Sequence, residues 1–136
     1  MTDYSQMSDF QINAAVFEAL HGGSPDFKEG ENGAMVLLSF EGDIVDGNVV
    51  EVEIERGVFN PCNDISDGWP IVIESEIGLM KDKGDGSWDA FGKFKLFDGD
   101  WQFESDPVHQ HSDRNPLRAA MVVFLKMKDA ENVEHF

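Results

Sequence analysis

Polar and apolar positions alternate with two different periods along this chain, and each change of period marks an element. "MSDFQIN" sets Ser8 ahead of an apolar stripe with Gln11 three residues on, the spacing of a capping box. Met7 and Ile12 are spaced as a hydrophobic staple around it. The stripe Ile12, Ala15, Val16, Ala19 and Leu20 predicts a helix over 9–20 that stops at Gly22-Gly23, with Phe10, Ala14 and Phe17 widening it beyond one face. At the other end "RNPLRAAMVVFLKMKDAE" offers Asn115 as N-cap and Pro116 at the first helical position, predicting a helix to about residue 128. Its stripe of Leu117, Ala120, Met121, Phe124 and Leu125 is broadened by Val122, Val123 and Met127. Two helices this apolar are expected to pack together on one face of a sheet, with a dimer contact as the alternative.

Between the helices the period falls to two. "AMVLLSF" is a short apolar run, and "NVVEVEIE" alternates Val50, Val52 and Ile54 with Glu51, Glu53 and Glu55, the pattern of a strand with one wet face. Asp46-Gly47 is a hairpin signal joining the two. "WPIVIES" reads as a strand start, because Pro70 is tolerated in a strand only at the first position or on an edge. The following "EIGLMKDKGDGSWDAFGKFKLFDGDWQFE" gives further short strands broken by "KGDG" and "DGD". The expected fold is α+β: a meander of five or six antiparallel strands with an N-terminal and a C-terminal helix on one face. Residues 1–136 are expected to form one domain, in which the Gly-rich stretch 21–33 is a flexible loop and 129–136 a frayed tail.

Length and charge narrow the functional classes. A chain of 136 residues buries roughly 70% of the surface of its unfolded form, enough for one core without disulfides. The single Cys62, the absence of a basic-then-apolar leader pattern and the shortness of the apolar runs lead us to expect a soluble protein in a reducing compartment. A net charge of −17 argues against direct nucleic-acid binding, which needs clustered Lys and Arg. The charge is uneven: residues 1–80 hold 16 acids against Lys28 and Arg56, whereas residues 81–136 hold 11 acids and 8 bases. Solubility accounts for such a field, and attraction of a basic partner is the alternative.

Several residues invite a chemical role. Cys62 lacks a neighbouring base, His109 and His111 being distant in the chain, and reads as a small buried residue in a turn. "DPVHQHSD" could set Asp106, His109, His111 and Asp113 around a metal, but its weak spacing reads as a solvated connection. The Asp-Gly clusters lack the alternating oxygen ligands of a calcium loop and read as turns. No metal or cofactor is implied. "FNPCNDISDGWPIVIE", residues 59–74, is the densest polar cluster. Asn60, Asn63, Asp64, Ser66 and Asp67 can close Asx turns, or with Trp69 form a rim that orients a ligand. Arg118 lies in the first turn of a helix, where a cation is disfavoured, so a carboxylate partner is expected and Asp64 or Asp67 is the natural one.

The blocks "YSQMSDFQINAAVFEAL", "FNPCNDISDGWPIVIE" and "NPLRAAMVVFLKM" together resemble the NinX-like family of small phage and prophage proteins of unknown function. The positions that carry the resemblance are Asn63, Asp67, Trp69 and Pro70 in the loop, and Asn115, Pro116, Leu117 and Arg118 at the helix start. The chain departs from the family pattern at Gly68, where Ala is usual, in the acidic stretch 26–56 and after Lys128. The resemblance implies a phage-derived accessory protein in the cytoplasm of a bacterial host, and brings no reaction or catalytic residue with it.

The expected activity is non-enzymatic binding of a host or phage macromolecule by a monomer or homodimer, through a polar surface of Asn60, Asn63, Asp64, Asp67, Trp69, Asn115 and Arg118. Two alternatives stay open. One is an enzyme or small-ligand binder with a pocket of Asp64, Asp67, Trp69 and Arg118; the other is an acidic mimic of nucleic acid using Glu51, Glu53 and Glu55.

Overall fold

The computed structural model describes residues 3–104 and 108–134. Helix α1, Asp9–His21, starts at the expected capping box: Ser8 accepts from the Gln11 N–H and Gln11 accepts from the Ser8 N–H. Gly22 ends it in the left-handed conformation, φ 74°, which relieves the last carbonyls without a Cβ clash. Helix α3, Pro116–Glu134, runs beyond the expected end near Lys128. Asn115 caps its start, its Oδ1 accepting from the N–H groups of Leu117 and Arg118.

The strands form three small antiparallel sheets among the described residues, not one meander. The first joins β1 (Phe27–Glu29), β2 (Met35–Val45) and β3 (Asn48–Phe59) in that order. The second orders β4 (Gly78–Lys81), β5 (Trp88–Phe91) and β8 (Gln110–Asp113), and the third is the hairpin of β6 (Phe94–Phe97) and β7 (Asp100–Phe103). The hairpin turns were legible: Asp46 and Gly47 have φ of 51° and 80°, Asp98 and Gly99 of 50° and 85°, as primed two-residue turns require.

One segment changes class. "ISDGWPIVIE", expected to lead into a strand, is helix α2, Ile65–Glu74, with Pro70 inside it. The apolar run suits either element by composition, and tertiary burial decides: Gly68, Ile71 and Val72 form one buried face at helical spacing. Gly68 is the tightest point. A Cβ there would lie 2.5 Å from the Pro61 carbonyl oxygen and 3.0 Å from Leu117 Cδ2.

Helix α3 is the centre of the molecule. Residues 119–125 are all buried, because sheet β4-β5-β8 covers one side while α1 and α2 cover others. α1 packs onto α3 as expected, but the two do not share one sheet face: α3 lies against β4-β5-β8, whereas α1 meets β2 of the first sheet. The β2–β3 ribbon behaves differently. Met35, Val36 and Leu38 root it in the protein, but from Phe40 to Val52 its apolar side chains on both faces are exposed. The face carrying Val50 and Val52, expected to be covered, has no layer over it among the described residues.

Candidate functional site

The predicted polar residues meet at a seam where the start of α1, the turn after β3, the start of α2 and the start of α3 come together. Asn13 on α1, fully buried, organises one half. Its amide donates to Gly33 O at 2.9 Å and to Asn60 Oδ1 at 2.7 Å, and its Oδ1 accepts from the Cys62 N–H at 3.0 Å. Asn60 in turn donates to Asn32 O, and its backbone N–H is held by Asp67 Oδ2 at 2.9 Å. Apart from the Asn13–Asn60 side-chain pair, each bond here ties a backbone group of one segment to a side chain of another, as buried polar groups demand.

The other half runs through Asn63, Asn115 and Arg118. Asn63 donates to Asp9 Oδ2 at 3.0 Å and Asn32 O at 2.9 Å, and accepts from Asn115, whose amide also reaches Cys62 O at 2.7 Å. Arg118, with only 14% of its side chain exposed, donates from Nε to Asp113 at 3.0 Å, from Nη1 to Asp9 at 2.7 Å and from Nη2 to Met7 O at 2.6 Å. Its partners are therefore Asp9 and Asp113, not Asp64 or Asp67. Those two have local duties: Asp64 N-caps α2 through the Ser66 N–H, and Asp67 pins Asn60. The planar fork of an arginine suits three acceptors approaching from three segments.

Asp64, Asp67, Trp69 and Arg118 are thus not gathered into one pocket. A shallow concavity of about 830 Å³ does open beside the seam, lined in part by Asn32, Val58, Asn60, Asn63, Asp64 and Ile65, without Asp67, Trp69 or Arg118. Burial pushes the Cys62 thiol up to about 12, with the Asp9 carboxylate adding to the effect. A thiol so held is protonated at neutral pH and is no nucleophile.

"HQHSD", expected as a solvated connection, includes strand β8, which pairs with β5; Asp106 lies outside the described residues. His111 Nε2 is buried without a hydrogen bond, 3.6 Å from an Asp113 oxygen that Arg118 already holds. Burial, then Lys126, lowers its pKa. Among the described residues, no group of three His, Cys, Asp or Glu could hold a metal ion.

Residues that sequence reasoning passed over include Asn13 and Asp9, while Asp113, weighed only as a metal ligand in a solvated connection, is instead a partner of Arg118. A readable signal existed for the first: an Asn between Ile12 and Ala14 on a helix otherwise apolar on more than one side needs a buried partner. The solvent-facing side of α2 carries an apolar stripe beside the exposed Ser66 and Glu74. Ile65, Trp69 and Ile73, four residues apart, are 65%, 46% and 59% exposed.

Fold and seam together define a small α+β protein built around one central helix, with most of its predicted polar residues spent on joining segments. The profile of the family described as "Bacteriophage P22, NinX" matches residues 3–128, and the chain belongs to that family. It is a phage protein. No curated protein matches the chain. Among the described residues no helix is long and apolar enough to cross a membrane.

Proposed function

We propose that this protein is a non-enzymatic accessory factor that binds a host or phage macromolecule in the bacterial cytoplasm, with α2 as its contact helix. The observation that carries the reading is the stripe of Ile65, Trp69 and Ile73, held open to solvent on a helix fixed from behind by Gly68, Asp67 and the Asn60 turn. A rigid helix that exposes a tryptophan flanked by two isoleucines is the kind of surface whose burial supplies binding energy. Asn63 and Asp64 provide a polar rim beside it. The polar residues expected to make contact thus serve to present the helix.

The test is affinity capture from phage-infected cells, comparing the native chain with Trp69→Asp, which alters an exposed side chain and leaves the seam intact. A stoichiometric macromolecular partner that the native chain retains and Trp69→Asp loses supports the proposal. Retention by both removes α2 as the contact. A bound metabolite in native mass spectrometry, with no macromolecule captured, overturns the reading in favour of a small-ligand protein.

A further inference from the structure

The β2–β3 ribbon shows a second surface, independent of α2, and its chemistry specifies an occupant. The two-residue turn at Asp46-Gly47 makes Val45 and Asn48 a hydrogen-bonded pair, so bonded and non-bonded pairs alternate from there. Val50, Val52 and Ile54 therefore bond inward to β2, while Val49, Glu51, Glu53 and Glu55 turn their N–H and C=O groups outward. Two bonds on β2 confirm that parity. Ile44, opposite Val49, donates its N–H to Asp43 Oδ1, and Leu38, opposite Glu55, donates to Asp26 O, each away from β3. β3 is an edge strand with β2 as its one neighbour among the described residues.

We infer that this edge receives an extended segment of another protein in which basic and apolar residues alternate. A strand added to β3 sets its residues directly opposite Glu51, Glu53 and Glu55 on one face, and its alternate residues beside Val50, Val52 and Ile54 on the other. The first set has to be Lys or Arg and the second apolar. Lys28 already shows the preference of the glutamate face, with its ammonium 2.8 Å from Glu53 and 3.4 Å from Glu55. A second copy of this chain does not fit. Antiparallel self-pairing through the same outward groups puts the glutamate row opposite itself, in a chain of net charge −17.

The experiment uses the full chain and three labelled peptides of about eight residues, the length that covers the outward row at about 3.4 Å per residue. One alternates Lys and Val, one has the same composition in two blocks, and one alternates Glu and Val. Fluorescence anisotropy is expected to show the alternating basic peptide binding about tenfold more tightly than the block peptide, with affinity falling as salt rises, and no binding of the acidic peptide. Glu53→Pro removes an outward N–H without touching the β2 ladder and should abolish binding with the unfolding midpoint unchanged. Should that variant unfold, Glu51→Lys with Glu53→Lys serves, and is expected to transfer the preference to the Glu-Val peptide. Equal binding of alternating and block peptides, no binding at all, binding retained by folded Glu53→Pro, or a preference unmoved by charge reversal each overturns the inference. Trp69→Asp should bind the peptide normally, which separates this edge from the α2 face.

Discussion

Replacing Arg118 by Ala tests whether the seam is a structural clip or a recognition surface. The side chain makes three charge-assisted hydrogen bonds, to Asp113, Asp9 and the Met7 carbonyl, and joins residues up to 111 positions apart in the chain. Breaking a fully buried pair leaves an uncompensated charge and costs about 3–5 kcal/mol, whereas an exposed pair is worth about 0–1 kcal/mol. Arg118 is mostly buried, but Asp9 and Asp113 keep 33% and 22% of their side-chain surface, so water relieves part of the loss. The expected destabilisation is about 2–3 kcal/mol, between these limits. For a chain of this size that lowers the thermal midpoint by roughly 6–12 °C. Urea unfolding followed by far-UV circular dichroism measures it. Hydrogen exchange should show the first turn of α1 losing protection before α3, since that turn loses its anchor. A cycle with Asp9→Ala should give positive coupling, and Arg118→Lys should recover only part of the stability, because an ammonium cannot reproduce the fork. If Arg118→Ala shifts stability by less than about 0.5 kcal/mol, within the range of ordinary surface substitutions, the clip reasoning is wrong. Lost partner capture with stability intact would instead make Arg118 a contact residue.

Two further outcomes test packing and charge. Gly68→Ala gains about 1 kcal/mol of helix propensity but drives a methyl against the Pro61 carbonyl, an overpacking cost of about 1–3 kcal/mol, so a net loss is expected in chemical denaturation. A stabilised variant would show that α2 yields at this contact. For His111, the folded state holds the imidazole neutral below its ordinary value of 6.5, so the unfolded chain binds more protons and stability rises with pH across that window. Stability should fall as pH drops below about 6.5 until the lowered folded value is passed, and His111→Gln should flatten that part of the profile. An unchanged profile would mean that other groups set the slope.

The seam explains why the candidate residues could be found by type but not by role. Asn60, Asn63, Asp67 and Asn115 stand out because short polar side chains clustered near Pro and Gly need a structural reason, and Arg118 because a cation in a first helical turn needs a partner. Which carboxylate Arg118 meets depends on where the start of α1 lies. Asp9 reads in sequence only as a favourable acid in a first helical turn, and nothing local ties it to a residue 109 positions away.

What the sequence determined by itself was whatever rests on neighbours a few residues apart. The Ser8–Gln11 box, the Asp46-Gly47 and Asp98-Gly99 turns and the Asn115-Pro116 helix start are each closed by bonds within one turn of chain, so residue identity suffices. The family motifs are legible for the same reason, being short and contiguous. Only the tertiary structure decided the rest. "WPIVIE" became a helix because α3 and the Pro61 turn offered a face to bury at helical spacing, against the strand-start reading of Pro70. Among the described residues the strands divide into three sheets, of which β4-β5-β8 is the one laid against α3, while α1 and α2 cover its other sides. The β2–β3 ribbon, alternating as if half of it were buried, stands bare because period two records which residues share a face and says nothing about what lies against it.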